Sequence, residues 1–293
     1  LNPRQALLLA LAATLLFSSA PASIRTVGLD SFALGICRLG LASLGMTTLL
    51  AWRLPQTRTM LAQWNWRTTR ALFFVGLAFG THWLLFFLSI KIGSAAIGTI
   101  GFSTYGLHLI VLGWLLGHGR VTPIDLVGLL LACAGTWLVM PEFRIENDQT
   151  LGLIIGILSG LAAAFLPLLH QHYADIHGNL RAWGQFTFAL LVFACCQPWA
   201  QWNLFQTSDI PLILYLGLGI ALVGHGLWVH ATTALSTTTT SILSYLYLPL
   251  SLVVGYLTIG EQLAGRALVG TALVLIANAL VLFNGHRRGM LKT

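Results

Sequence analysis

Charged side chains are scarce in this sequence: Lys, Arg, Asp and Glu make up 8% of 293 residues, where a soluble domain carries roughly a quarter. The 15 basic and 8 acidic side chains cannot cover a water-facing globule of this length, which excludes a soluble fold. Cysteine is also sparse. Cys37, Cys133, Cys195 and Cys196 lie inside apolar runs without a C-x-x-C spacing, which excludes a disulfide framework and a cysteine metal site. Several motifs are missing altogether: a phosphate-binding Gly-x-x-x-x-Gly-Lys loop, His-Glu-x-x-His, Gly-x-Ser-x-Gly, and paired carboxylates in the middle of an apolar run. Their absence argues against an ATP-driven pump, a zinc protease and a serine hydrolase. No catalytic residue, metal or cofactor is expected.

What the chain has is apolar length. Hydrophobic residues are 57% of the total and the mean hydropathy is +0.83, so most of the surface must face lipid. A helix needs about 20 apolar residues to cross a bilayer. Ten such stretches lie near 5–23, 31–52, 70–90, 95–116, 123–140, 151–170, 180–200, 211–231, 238–258 and 265–284. The first has a rival reading as a secretory signal, because Arg4, an apolar run and Ser-Ala-Pro-Ala-Ser at 19–23 resemble one with its cleavage site.

The net charge of +7 sits in short segments between the runs, as orientation signals do, and no nucleic-acid partner is expected. With the N-terminus inside, ten Lys and Arg fall on the cytoplasmic side, and only Arg25, Lys91, Arg144 and Arg266 fall outside. Both termini are therefore expected in the cytoplasm of a cell bounded by a bacterial-type inner membrane.

A shift of 142 residues aligns the two halves: Ser94 with Ser236, Thr99 with Ser241, Tyr105 with Tyr247, Gly128 with Gly270 and Phe86 with Trp228. His82 falls one position from the counterpart of His225. Five spans per half is an odd number, so the second half enters the membrane from the opposite face. The expected architecture is all-α, with ten transmembrane helices as two five-helix inverted repeats, 1–145 and 146–293, around a central cavity. Two similar bundles rocking about a midplane site are the usual construction of secondary transporters.

Two segments resemble a known family. One is Gly35-Ile36-Cys37-Arg38-Leu39 in the second stretch; the other is Tyr247-Leu248-Pro249-Leu250 followed by Gly255-Tyr256 and Gly260-Glu261-Gln262-Leu263. With them the chain resembles the EamA-type ten-helix carriers of the drug/metabolite transporter superfamily. Its Trp, Phe and His content is most similar to that of the YddG-type exporters of aromatic amino acids. The first half departs from the pattern, reading Tyr105-Gly106-Leu107-His108, with Gly119 in the place of Glu261. The resemblance implies a cavity built by the first four helices of each half, a peripheral fifth and tenth helix, and outward movement of amino acids and related metabolites.

Polar groups at membrane depth are costly and are therefore the site candidates. His82 and Phe86 share a face of the third stretch, next to Trp83, and His225 and Trp228 stand in the comparable part of the eighth. Histidine among aromatics on both suggests a wall that stacks a ring and hydrogen-bonds a carboxylate or amine. Thr99, Ser103 and Tyr105 in the fourth stretch and Ser241 and Tyr245 in the ninth are lining candidates; small residues that only pack helices give a similar pattern. Arg38 is too deep to snorkel freely, so it binds a substrate carboxylate or pairs with backbone carbonyls.

The function expected is secondary transport, as exporter or facilitator, of amino acids, aromatic and other neutral ones, and related metabolites, by alternating access. The alternative is an integral membrane enzyme acting on lipid or isoprenoid substrates. The partners are a small-molecule substrate and membrane lipid, and the sequence leaves homodimer and monomer open.

Overall fold

Helix starts carry unpaired N–H groups, and short polar side chains placed just before the apolar runs meet them. Asp30 accepts hydrogen bonds from the N–H groups of Phe32 and Ala33, Asn65 from that of Thr68, and Ser94 from that of Ile97. In the computed structural model, which describes residues 3–53, 57–58, 61–62, 64–115, 122–139, 146–173, 175–234 and 237–287, every regular element is helical. The first half holds α1 (Pro3–Ser18), α2 (Ala20–Thr26), α3 (Ser31–Trp52), α4 (Trp66–Ile92), α5 (Ala95–Phe102), α6 (Tyr105–Leu115) and α7 (Pro123–Val139). The second holds α8 (Asp148–His172), α9 (Gly178–Cys195), three short 3₁₀ turns, α10 (Ile210–Leu214), a π-helical segment (Tyr215–Gly224), α11 (His225–Ala234), α12 (Thr237–Ile259) and α13 (Gly265–Arg287).

Among the described residues, five helical stretches are long and apolar enough to cross a membrane: Arg4–Thr26, Ser31–Trp52, Trp66–Ile92, Asp148–His170 and Thr207–Trp228. Shorter apolar helices cover Pro123–Val139, Leu246–Ile259 and Gly265–Ala277.

Among the described residues, three stretches that hydropathy reads as continuous are broken. Between α1 and α2 the Ser19 hydroxyl, 2.7 Å from the Leu16 carbonyl oxygen and 2.7 Å from the Tyr215 hydroxyl, stands just ahead of Pro21, which has no N–H to give. Between α5 and α6 the Ser103 hydroxyl donates to the Ile100 carbonyl and that of Thr104 to the Gly101 carbonyl, each at 2.7 Å. These hydroxyls bond carbonyls at the break, which is how a helix can break without exposing its backbone to lipid. The third interruption is the π segment, ten residues long, where such segments are usually a single turn.

The two halves interlock. Helix α4 packs along α8 and α9, and α8 also packs on α5 and α6. On the other side, α1 packs along the π segment, α11 and α12, while α3 packs on the π segment. Helices α3 and α9 lie together, as do α5 and α12. The largest apolar core lies where α2, α3, α4, α9 and the π segment converge, and it includes Leu34, Phe79, Phe87, Phe193 and Ile220. Glu261, after α12, reaches across to the start of α5, where the Ala96 N–H stands 3.1 Å from each carboxylate oxygen.

Helices α7 and α13 pack chiefly on each other. They approach closely because glycine faces backbone: a Cβ at Gly135 would stand 2.5 Å from the Gly270 carbonyl oxygen. Asn284 ties the same pair at one end, donating to Thr122 Oγ1 at 2.7 Å and Asp125 Oδ1 at 3.0 Å. Without a hydrophobic drive between helices in lipid, such contact is what holds them. Gly135→Val is expected to lower the melting temperature of the purified protein in detergent, by the 1–3 kcal/mol or so typical of overpacking. Gly40→Ala, in the middle of α3 with nothing within 4 Å of an added Cβ, is expected to leave it unchanged or raise it. Equal melting temperatures for the two variants would contradict the close α7–α13 contact.

Candidate functional site

A continuous chain of rings runs from α6 to α11 and crosses from one half to the other. Tyr105 stacks on Phe102 at 5.6 Å between centroids, and Phe102 lies 5.0 Å from His82 and 5.3 Å from Phe86. His82 lies 5.1 Å from Trp83, which stands 6.2 Å from His225; His225 lies 4.9 Å from Phe17, and Phe17 lies 6.1 Å from Trp228. Phe79 and Phe186 close the cluster around His225 at 5.2 and 6.0 Å. Most of these contacts are edge-on or tilted, the arrangements ring quadrupoles favour.

His82 is held by the other half. The Ser159 hydroxyl on α8 donates to the His82 carbonyl at 2.9 Å, so its oxygen is left to accept from His82 Nδ1 at 2.8 Å. That network puts the imidazole proton on Nδ1 and leaves Nε2 as the lone-pair nitrogen. Ser159 is 142 residues from Phe17, the ring that packs on His225. The two histidines therefore have related neighbours of opposite character, one polar and one apolar. His225 Nε2 is buried with no hydrogen-bond partner among the described residues.

Arg38, wholly buried on α3, donates from Nε to the Leu216 carbonyl of the π segment at 3.2 Å. Its guanidinium carbon sits 3.5 Å above the Trp83 ring and 5.6 Å from that of Phe87. Cation–π contact of this kind offsets part of the cost of burying the charge. Nη1 and Nη2, like Trp83 Nε1, have no partner among the described residues.

Of the residues picked from the sequence, His82 and Phe86 meet directly, their rings 5.9 Å apart, and His225 joins them through Trp83 and Phe79. Tyr105 joins through Phe102, Trp228 through Phe17 and Arg38 through Trp83. Thr99 and Ser103 are buried, but their hydroxyls bond their own helix, to the Ala95 carbonyl at 2.7 Å and the Ile100 carbonyl at 2.7 Å. The side chains of Ser241 and Tyr245 lie outside the described residues. Ser159, Phe17, Phe79 and the Leu216 carbonyl belong to the site and were not singled out from the sequence; the 142-residue shift, carried into the first and sixth stretches, pairs Phe17 with Ser159 and offered a signal for both.

Ser159→Ala would remove the hydroxyl and leave the buried His82 Nδ1–H with only the more distant Ser159 carbonyl at 3.3 Å, at a cost of about 0.5–1.5 kcal/mol. The expected outcome is a lower melting temperature for the variant. A melting temperature equal to that of the unaltered protein would show that the bond contributes nothing.

The profile of the EamA-like transporter family matches this chain twice, over residues 4–140 and 150–283. An uncharacterized transporter of Archaeoglobus fulgidus is 24% identical over 241 residues, covering 80% of this chain and 81% of its own. A protein crystal structure superposes with a TM-score of 0.68 at 16% identity, covering 96% of this chain and 97% of its own, a likeness of fold alone. The all-helical chain, with several apolar helices of membrane-spanning length and the family profile over both halves, is a multi-pass membrane protein that belongs to the EamA-like transporter family.

Proposed function

We propose that the chain is a secondary carrier with ten membrane spans, built as two inverted repeats, 1–145 and 146–293, that alternate access to the ring cluster between them. Its cargo in this reading is amino acids, aromatic and other neutral ones, and related metabolites, as in the YddG-type exporters. It sits in a bacterial-type inner membrane with both termini in the cytoplasm, and it carries out no covalent chemistry on its substrate. The observation that carries the reading is the aromatic and histidine cluster, to which both halves contribute and which lies at their junction.

The pattern of helix packing supports two related halves. The contacts of α4 with α8 and α9 have counterparts in those of the π segment and α11 with α1 and α3. Those of α5 and α6 with α8 have a counterpart in that of α12 with α1. Helix pairs α3–α9, α5–α12 and α7–α13 then each join corresponding spans, as elements on a two-fold axis do. Ser43 and Thr187, 144 residues apart and so close to corresponding positions, share a hydrogen bond of 2.8 Å on α3 and α9. The double match of the family profile agrees with the same division.

Each end of the bundle also has ties that a rocking motion would break and remake. At the end expected outside, Arg25 donates to the carbonyls of Ile90 at 3.0 Å and Lys91 at 2.6 Å, Lys91 donates to the Val27 carbonyl, and Asp209 accepts from the Gly28 N–H at 3.1 Å. At the other end Arg67 forms an exposed bidentate pair with Asp175. Exposed pairs contribute little stability, which suits contacts that must open. The membrane-enzyme reading has no comparable support, since the family is one of transporters.

Purified protein in liposomes is expected to give saturable uptake of radiolabelled phenylalanine that accelerates when unlabelled phenylalanine is present on the opposite side. Flux of other solutes but of no amino acid would remove the substrate assignment, and no trans-acceleration for any solute would remove the carrier.

A further inference from the structure

The donors left over around Arg38 define the chemistry of what fits there. Nε is taken by the Leu216 carbonyl and one face of the guanidinium is covered by Trp83. The free edge is the one formed by Nη1 and Nη2, neither of which has a partner among the described residues. Two parallel N–H groups on one edge match the two oxygens of a carboxylate. Trp83 Nε1 and His225 Nε2 are buried and unpartnered beside it, with their rings 6.2 Å apart. Indole nitrogen only donates, and guanidinium only donates, so the cluster calls for an acceptor. Left unmet, each such donor costs about 1–3 kcal/mol, a penalty a bound anion would remove.

Charge points the same way. The acidic residues described stand at helix ends and in the connecting segments: Asp30 caps α3, Asp125 opens α7, Glu146 and Asp148 stand at the start of α8, Asp175 pairs with Arg67, Asp209 holds Gly28 and Glu261 caps α5. None of these contacts reaches Arg38, whose charge has no carboxylate partner among the described residues. A buried cation without a counter-charge is unfavourable by several kcal/mol. A monocarboxylate neutralises it, whereas a zwitterion also brings an ammonium for which the cluster has no acid. Phe79, Phe86 and Phe87 pack on Trp83 at 6.0, 5.6 and 5.6 Å, and Phe186 packs on His225 at 6.0 Å, an aromatic wall that suits an aromatic body.

We infer that Arg38, Trp83 and His225 form a binding site for a small aromatic carboxylate, and that the site needs no α-ammonium on that molecule. This deepens the carrier reading, on which it rests only for treating the bound molecule as cargo. Free aromatic acids are then substrates alongside, or ahead of, the amino acids.

The test is calorimetric titration of the full-length protein in detergent with three probes that share one ring: 3-phenylpropanoate, phenylalanine and 2-phenylethylamine. Binding is expected at least as tight for 3-phenylpropanoate as for phenylalanine, with none for the amine. Arg38→Lys, which offers a point charge in place of the two-pronged edge, is expected to weaken 3-phenylpropanoate binding about tenfold or more. Trp83→Phe, which keeps the ring and removes the N–H, is expected to weaken it severalfold. Tighter binding of the amine than of the acid, or undiminished acid binding by folded Arg38→Lys, would overturn the site. The probe series on the unaltered protein decides the question even if Arg38→Lys does not fold. Binding of the acid without counterflow in liposomes would uphold the site and remove the carrier; phenylalanine counterflow without binding of 3-phenylpropanoate would do the reverse.

Discussion

A guanidinium with no solvent exposure must be held by something, and the way Arg38 is held organises the centre of this protein. Its Nε fastens α3 to the π segment, and its face fastens α3 to Trp83 on α4. The π segment leads directly into His225, and α4 carries His82 in the turn beside Trp83. One buried cation thus sets the relative placement of the three elements that contribute most of the ring cluster. The desolvation cost is large enough that such a group persists only where its contacts repay it, and here those contacts join the first half to the second.

The same centre explains why the halves do not stand as separate domains. Helix α4 spends most of its surface on α8 and α9, and α1 on the π segment, α11 and α12, so each half completes the packing of the other. Ser159 completes His82 from across that boundary, and Glu261 completes the start of α5. A substrate bound among these rings would touch both halves at once, which is the condition for coupling its binding to their relative motion.

Much of this was legible in the sequence. Scarcity of charge and the length of the apolar runs fixed the class, and the family profile agrees with the resemblance read from Arg38 and the Tyr247–Leu263 segment. His82 and His225 were readable because polar rings inside apolar runs are rare, and Phe86 because it shares a helix face with His82. The interruptions at Ser19 and at Ser103–Thr104 were not, because both sides of each break are apolar and hydropathy has no term for a hydroxyl that bonds a carbonyl at the break. The π segment was invisible for a related reason: Tyr215–Gly224 differs from an α-helix only in which carbonyl each N–H meets. Trp83 stood in plain view as a neighbour of His82, but its role depends on a cation forty-five residues away, on another helix.

Alternation between two closures is measured directly by distances at the two ends of the bundle. Spin labels at Thr26 and Ser208 report the end tied by Arg25, Lys91 and Asp209, and labels at Trp66 and His177 report the end tied by Arg67 and Asp175; all four positions are exposed. Pulsed electron–electron resonance in lipid nanodiscs is predicted to show two distance populations at each end. Addition of substrate should shift them in opposite senses, one end closing as the other opens. A single distance at both ends that substrate leaves unchanged would contradict alternating access and leave a rigid membrane protein in its place.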